Sequence, residues 1–286
     1  ERNIVLGYGA LGADTKGGQS VAIGYQSLSS QNFTTATDVH NVAVGYNVGL
    51  SVTTGIRNVL IGALAGDALT DADHNVAIGF QALSSDTLGS RAIAIGHNAL
   101  VNQNFTTATD SYNVAIGYSA GDATTTGIKN TLIGGEAGNA ITTGQNNVAL
   151  GYDSLSTNTG SNANIAVGYE ALQTFNVTTD TSTFNVAVGT QAGKSITTGI
   201  KNVLMGGLAG DALTDADFNV AVGNGALSSD TLGSTSTAIG ASALATQNFS
   251  TATDAYNVAV GFEAGQLIST GTSNTIVGSL AGDAMT

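Results

Sequence analysis

Apolar and polar residues alternate in a five-residue word that recurs along the whole chain. The residue just before the final glycine of the word is apolar in every copy, and the residue two positions earlier is Ile or Val in thirteen copies and Thr in three. Apolar residues at a period of two predict β-strands. The word is Asn-Val-Ala-Ile-Gly with conservative variants, and its sixteen copies end at Gly7, Gly24, Gly45, Gly62, Gly79, Gly96, Gly117, Gly134, Gly151, Gly168, Gly189, Gly206, Gly223, Gly240, Gly261 and Gly278.

Successive copies are 17 or 21 residues apart, and the 21-residue step returns at every fourth copy. This produces super-repeats of 72 residues at 3–74, 75–146 and 147–218, and a fourth at 219–286 that covers 68 of them. Short β-branched strands at a constant period, separated by glycine and polar clusters, are typical of a solenoid in which each repeat stacks on the next. We therefore predict an all-β fold, a parallel β-solenoid or β-roll of sixteen coils, as one repeat domain over 1–286, with five-residue strands. A coil is one turn of this solenoid.

The first residue of the word is Asn in thirteen copies, and we expect these side chains to form an internal ladder with the copies above and below. Ser20, Ala92 and Ser236 are the exceptions, and each falls in the coil before a long loop. The invariant final glycine indicates a backbone conformation or a close approach that a Cβ would spoil. The predicted ladder comprises Asn3, Asn41, Asn58, Asn75, Asn113, Asn130, Asn147, Asn164, Asn185, Asn202, Asn219, Asn257 and Asn274.

Two positions of the word vary together. The residue two before the glycine is Ala in eleven copies, but it is large in the third coil of each super-repeat, as at Leu60. The residue after the glycine is often aromatic, as at Tyr25, but small in those same coils, as at Ala63. We expect the two sites to share one volume. Since both strand faces are apolar, a second chain could cover one of them, with contacts through the Ala/Leu and Tyr/Phe positions.

The amino-acid composition argues against several classes of protein function. The chain has 39 glycines, no Cys, Pro or Trp, and only 9% charged residues. Without Cys there is no thiolate chemistry and no disulfide. A net charge of −13 disfavours nucleic acid and anionic membranes as partners. We assign no catalytic residue, no cofactor and no metal ligand.

Several local motifs resemble known binding or metal sites, but they are not kept in the equivalent coils or lack the required spacing. Gly7–Gly12 matches GxGxxG, but equivalent coils lose the glycines and no helical run follows. Lys194 follows a glycine as in a phosphate loop, yet the spacing is one residue short. The three histidines have no partner at metal-ligand spacing, and the acidic turns lack the calcium-roll repeat. These residues are His40, His74 and His97, and Asp67, Asp71, Asp73, Asp211, Asp215 and Asp217.

Each long loop carries an Asn-x-Thr/Ser sequence, so four asparagines are candidate glycan acceptors. In a phage fibre they are copied loop residues, whereas in an archaeal or eukaryotic surface filament they would carry sugars. The four residues are Asn32, Asn104, Asn176 and Asn248.

The stretch Gln19-Ser20-Val21-Ala22-Ile23-Gly24 resembles the SVAIG-type repeats of trimeric autotransporter adhesin (YadA-like) heads, and the 17-residue copies, such as residues 75–83, resemble NTAIGYQAL-type arrays of bacteriophage tail fibres. The adhesin resemblance implies a left-handed parallel β-roll with three chains about one axis. Adhesin-head repeats are shorter than 17 residues, and no coiled-coil stalk, membrane-anchor barrel or self-cleaving chaperone domain is present in this sequence.

We therefore expect a non-enzymatic, homotrimeric fibre shaft of a phage tail fibre or similar surface appendage, extracellular or on a virion. Modules outside this sequence would bind the host receptor. The alternative is an extracellular filament or adhesin subunit that stacks end to end. Thr286 aligns with Thr70 and Glu1 with Asp73, so a second copy would continue the repeat after two missing residues.

Overall fold

A computed structural model describes residues 2–286, and Glu1, used in the end-to-end alignment, lies outside the described residues. The chain divides into two compact units, residues 1–143 and 144–286. Each unit is a parallel β-solenoid of eight coils, so the all-β solenoid prediction is confirmed. No helix able to cross a bilayer occurs in residues 2–286.

Every coil contributes one strand to the sheet of its unit, and neighbouring strands pair in parallel without any offset, as in Val21↔Val42 and Ile23↔Val44. The N-terminal unit contains Ile4–Leu6, Val21–Ile23, Val42–Val44, Val59–Ile61, Val76–Ile78, Ile93–Ile95, Val114–Ile116 and Thr131–Ile133. The C-terminal unit contains Val148–Leu150, Ile165–Val167, Val186–Val188, Val203–Met205, Val220–Val222, Thr237–Ile239, Val258–Val260 and Thr275–Val277.

The strands are three residues long, so the predicted length of five was wrong. The final glycine of the word leaves the strand conformation, since its φ lies at +127° in Gly24 and +149° in Gly45. A Cβ on Gly24 would overlap the carbonyl group of Gly45 in the next coil. Conformation and close approach therefore both require glycine here, as the invariance of this position indicates.

Two-residue strands extend the coils next to three of the four long loops. Gly17–Gly18 pairs with Thr37–Asp38, Gly89–Ser90 with Thr109–Asp110, and Gly233–Ser234 with Thr253–Asp254. In the third super-repeat a single bridge between Asn162 and Ser182 replaces the paired strands. The third long loop is therefore built differently from the other three.

The interior of each coil is filled by small and medium apolar side chains. The middle residue of each strand from the second to the fifteenth coil points inwards and is fully buried, as are leucines after the strand such as Leu28 and Leu83. In the first coil the middle residue, Val5, is 46% exposed. Bonds between coils are regular, for example from Val42 N–H to the carbonyl of Asn58 at 2.8 Å. Because each coil buries its apolar side chains against its neighbours, stacking supplies most of the stability.

Candidate functional site

The outer face of the strands is an exposed apolar surface. The first and third residues of each strand point outwards and are partly exposed, whereas the middle residue is buried in every strand after the first. Ile61, Leu150 and Met205 keep 37%, 41% and 43% of their surface exposed. Contiguous exposed apolar surface of this kind marks an interaction site.

The predicted shared volume between the Ala/Leu site and the Tyr/Phe site was wrong. Leu60 is fully buried inside its coil, while Tyr25 lies outside with 44% of its surface exposed. The larger leucine fits because glycines face it. A Cβ on Gly49 or Gly66 would lie 2.8 or 2.9 Å from a methyl group of Leu60. The Ala/Leu position therefore cannot take part in a contact with another chain.

Aromatic side chains form an exposed column at one edge of this strand face. Tyr25 stacks on Tyr8 and Tyr46 with ring centroids 5.5 and 5.4 Å apart. In the second super-repeat His97 stacks between Phe80 and Tyr118 at 5.3 and 5.4 Å. Each group of three ends at a small residue, Ala63 or Gly135. The column continues the apolar strand face, so a partner seated on the strands could also contact the rings.

Basic residues occupy the opposite edge of the strand face. Five of the seven Lys and Arg residues stand immediately before the ladder position. Arg91 pairs with Asp110 and lies 5.8 Å from the ring centre of Tyr112. The five are Arg2, Arg57, Arg91, Lys129 and Lys201. In four other coils the same position holds an exposed aromatic side chain, so the edge is mixed; these are Tyr112, Phe184, Phe218 and Tyr256.

The asparagines of the predicted ladder are buried or half-buried, and they connect consecutive coils. The Oδ1 atom of Asn41 accepts a bond from the backbone N–H of Asn58 at 2.8 Å. The Nδ2 atom of Asn58 donates to the carbonyl of Ala72 at 2.7 Å. The same pattern recurs at Asn75 and Asn202. Each asparagine side chain therefore forms hydrogen bonds with backbone groups that an alanine would leave unpaired in the interior.

A buried polar network, which we missed in the sequence, replaces the ladder where its asparagine is absent. Asp86 accepts bonds from the backbone of Gly89 at 3.0 Å and Phe105 at 3.1 Å, and from Gln103 Nε2 at 2.6 Å. Gln103 Oε1 accepts from Asn113 Nδ2 at 2.8 Å. Burial raises the pKa of the Asp86 carboxyl, although these bonds favour its charged form. We call this set the Asp–Gln corner.

The Asp–Gln corner is repeated in the first and fourth super-repeats. Gln31 donates to Asp14 at 2.8 Å, and Gln247 donates to Asp230 at 2.6 Å. A signal for it was present in the sequence, because these glutamines occur only in the super-repeats in which Ser20, Ala92 or Ser236 replaces the ladder asparagine.

In the described part of the chain, the histidines and the turn aspartates singled out in the sequence do not come together into a catalytic or metal site. Among residues 2–286, no group of three His, Cys, Asp or Glu side chains could hold a metal ion. His74 lies 3.3 Å from Arg57, and Asp73 accepts a bond from the backbone of Ile56 at 2.7 Å. Asp71 accepts from the Thr54 hydroxyl. Asp215 and Asp217 make equivalent bonds in the C-terminal unit. These aspartates thus join neighbouring coils.

Asp67 and Asp211 differ from the other acidic turn residues. Each has a buried carboxylate oxygen without a partner in the described part of the chain. Burial raises the pKa of both carboxyls. Only one carboxylate is present at each position, which is too few ligands for calcium.

The candidate glycan acceptors Asn32, Asn104 and Asn248 are exposed, and Asn176 is half-buried. The side-chain Oδ1 atom of Asn104 accepts a bond from the Thr87 hydroxyl of the preceding coil at 3.1 Å. Glycosylation at these residues stays a prediction.

Four segments of the chain match the YadA head domain repeat, namely residues 16–37, 76–99, 88–109 and 232–253. These segments are similar to a trimeric adhesin head. Three of them are offset by 72 or 144 residues and include the glutamines of the Asp–Gln corners. No curated protein and no solved structure matches the chain. The chain is thus related to adhesin-head repeats through its long-loop coils, while the tail-fibre resemblance stays a prediction.

Proposed function

We propose that this chain is a non-enzymatic structural segment of an extracellular or virion-borne fibre, in which three copies pack through the outer strand face. The exposed apolar strand face carries this proposal, because soluble proteins rarely leave contiguous apolar surface uncovered. Ile61 in this face is 37% exposed, and the aromatic column next to it includes Tyr118 at 58%. The match to adhesin-head repeats supports three as the number of chains.

The fibre would act mechanically. Parallel strands and the asparagine ladder connect each coil to the next, so tension along the stack is shared by many hydrogen bonds. A receptor-binding module elsewhere would then be held at a distance from the cell or virion surface. A phage tail-fibre shaft and an adhesin head both fit this role.

The decisive experiment is the mass in solution by light scattering at low micromolar concentration. We expect three times the chain mass of 28.3 kDa. The double variant Ile61→Glu/Ile78→Glu places two charges on the strand face and should yield single chains with an unchanged circular dichroism spectrum, because uncompensated charges in an apolar contact are costly. The control Thr34→Glu/Thr126→Glu alters exposed loop residues and should remain trimeric.

Single chains of the unaltered protein would disprove the trimer. A mass that increases continuously with concentration would instead support copies that stack end to end.

A further inference from the structure

The second super-repeat contains a cation site that the chain fills with its own arginine. Arg91 forms an ion pair with the Asp110 carboxylate, and its guanidinium carbon lies 5.8 Å from the ring centre of Tyr112. The Tyr112 hydroxyl lies 3.5 Å from the same carboxylate. A carboxylate next to an aromatic ring is complementary to a guanidinium group, because the carboxylate supplies charge and the ring face attracts cations. We call such a pair of residues an Asp–Tyr site.

A second Asp–Tyr site lies 144 residues further along the chain and lacks the arginine. It consists of Asp254 and Tyr256, and Thr235 stands in the place of the arginine. The Tyr256 hydroxyl lies 3.5 Å from the Asp254 carboxylate, the same distance as in the first site. Asp254 forms no ion pair within residues 2–286. The two residues that receive the cation are therefore kept, although the chain supplies no cation to them.

The backbone around the two sites is built in the same way. The amides of Arg91 and Thr235 each donate at 3.0 Å to the equivalent carbonyl of the preceding coil. Both residues have a left-handed backbone, with φ of +60° and +62°, although a β-branched threonine is strained in this conformation. The two-residue strands that carry Asp110 and Asp254 each pair in parallel with a strand of the preceding coil. The second site therefore presents its carboxylate and ring as the first one does.

Both basic residues of the C-terminal unit have other partners. The unit contains only Lys194 and Lys201. Lys194 pairs with Glu170, and the Lys201 ammonium lies 4.8 Å from the ring centre of Phe218. Phe218 precedes Thr235 by one coil at the same position of the repeat, and it is 51% exposed. A cation at the second site would therefore come from outside the unit, with an aromatic side chain in the neighbouring coil.

The Asp–Tyr sites lie beside the long loops and not on the strand face. In the first site the cavity around Arg91 has a volume of about 390 Å³ and includes Ala108 and Thr109 of the long loop. None of the residues that line this cavity belongs to a three-residue strand of the outer face. Both members of the second site are exposed, and Tyr256 keeps 59% of its surface accessible. A partner could therefore bind there while other copies cover the strand face.

We propose that the second Asp–Tyr site binds the guanidinium group of an arginine side chain that belongs to a partner protein. The guanidinium donates to the Asp254 carboxylate and stacks on the Tyr256 ring, next to Phe218. The first site carries this proposal, because the same two residue types at equivalent positions already hold Arg91 there. A guanidinium fits better than an ammonium, since its planar fork matches a carboxylate and stacks on rings. This binding does not depend on the trimer proposed above.

The test uses the full chain and the peptide acetyl-Gly-Arg-Gly-amide, with binding followed by saturation-transfer difference NMR. Asp254→Asn should weaken binding by roughly 10-fold and Tyr256→Ala by about 3-fold, since they remove a charge-assisted bond and a cation–π contact. Thr235→Arg should abolish binding, because the chain then fills the second site itself. A peptide with citrulline in place of arginine should not bind, because citrulline has a similar shape without the charge.

The first site provides two matched controls. Asp110→Asn makes the same charge change at the equivalent position of the other unit, where Arg91 already occupies the site, and should leave peptide affinity unchanged. Arg91→Thr empties the first site and should increase the signal about 2-fold at low occupancy, because a second site then binds the peptide.

Equal weakening by Asp110→Asn and Asp254→Asn would show general attraction to an acidic protein and overturn the proposal. Absence of peptide binding to the unaltered protein would overturn it as well, and so would undiminished binding to Thr235→Arg or equal binding of the citrulline peptide. No increase in signal for Arg91→Thr would show that an Asp–Tyr site does not suffice to bind arginine from outside, which also contradicts the proposal.

Discussion

The corner before the long loop is built in two ways, and the second and third super-repeats show the difference. In the second, Asp86 and Gln103 form the Asp–Gln corner. In the third, Asn158 and Phe175 occupy the equivalent positions, and Phe175 is fully buried. The third corner has an aromatic ring in place of the glutamine and a buried polar set of its own around Asn158, yet both corners leave the strands in the same parallel register. The register therefore does not depend on the chemistry of the corner.

The substitutions between the two corners are coupled. Ser161 replaces Gly89, and its hydroxyl donates to Asn158 Oδ1 at 2.7 Å. Such a side chain could not exist in the second super-repeat, because a Cβ on Gly89 would overlap the Asp86 carboxylate and lie 2.8 Å from Phe105 Cδ2. The residue equivalent to Phe105 in the third super-repeat is a smaller valine, at position 177.

The ladder changes with the corner. Asn164 is present in the third super-repeat, where its Oδ1 accepts from the backbone of Asn185 at 3.1 Å and from Thr183 Oγ1 at 2.8 Å. In the second super-repeat Ala92 stands at that position, and Gln103 Oε1 accepts from Asn113. A buried polar network must be complete to be stabilising, so its members can only be exchanged as a set.

The largest loss of stability should come from a substitution that places one residue of the third super-repeat's corner in the corner of the second super-repeat. Gly89→Ser should destabilise the protein by about 3 kcal/mol, because the new side chain overlaps both a buried carboxylate and a buried ring. Urea unfolding at a fixed protein concentration measures this change. The reverse substitution, Ser161→Gly, is the control and should cost about 1 kcal/mol, because the hydroxyl's bonds with Asn158 and Asn164 are lost.

The full set should restore stability. Asp86→Asn/Gly89→Ser/Ala92→Asn/Gln103→Phe/Phe105→Val reproduces the third corner and should recover most of the loss, which is strong non-additivity among contacting residues. Loss of stability as large as in Gly89→Ser alone would contradict the coupling.

A smaller loss of stability is expected when the glutamine of the Asp–Gln corner is replaced. Gln103→Leu removes the amide donor to the buried Asp86 carboxylate and the acceptor for Asn113, and should cost about 2 kcal/mol. Its counterpart Phe175→Leu changes only apolar packing and should cost about 1 kcal/mol. The same unfolding measurement compares the two. Equal losses would mean that the polar network adds nothing beyond packing.

The smallest effect should be on how the free energy of unfolding depends on pH under acidic conditions. The folded pKa of Asp86 is raised above its ordinary 3.8, so the native state holds this proton more tightly than the unfolded chain does. Stability from this group therefore decreases as the pH rises from 3.8 to the folded pKa, and is constant above it. The slope is less than about 1.4 kcal/mol per pH unit for one group.

The Asp86→Asn variant should lack this dependence of stability on pH, because an asparagine, such as Asn158 at the equivalent position of the third super-repeat, does not titrate. The difference in unfolding free energy between the unaltered protein and the variant should become smaller as the pH rises through the window. A difference that grows with pH would show that the hydrogen bonds outweigh burial at Asp86.

The sequence alone was sufficient to predict the solenoid, its strand positions and its coil boundaries. These follow from local chemistry repeated sixteen times, since alternation predicts a strand and an invariant glycine marks its end. The approach of consecutive glycines such as Gly24 and Gly45 could be expected because a repeated fold brings equivalent residues together.

The tertiary structure decided which face of the strand lies inside. Both faces are apolar, and a period of two distinguishes two faces without saying which one is buried. Leu60 was therefore assigned to a contact with another chain, although it fills its own coil.

The Asp–Gln corner also required the structure. Its members, such as Asp86 and Gln103, are 17 residues apart and belong to different coils. Alternation is a property of neighbouring residues, whereas a hydrogen bond or a groove between coils depends on side-chain directions that only the stacked backbone fixes.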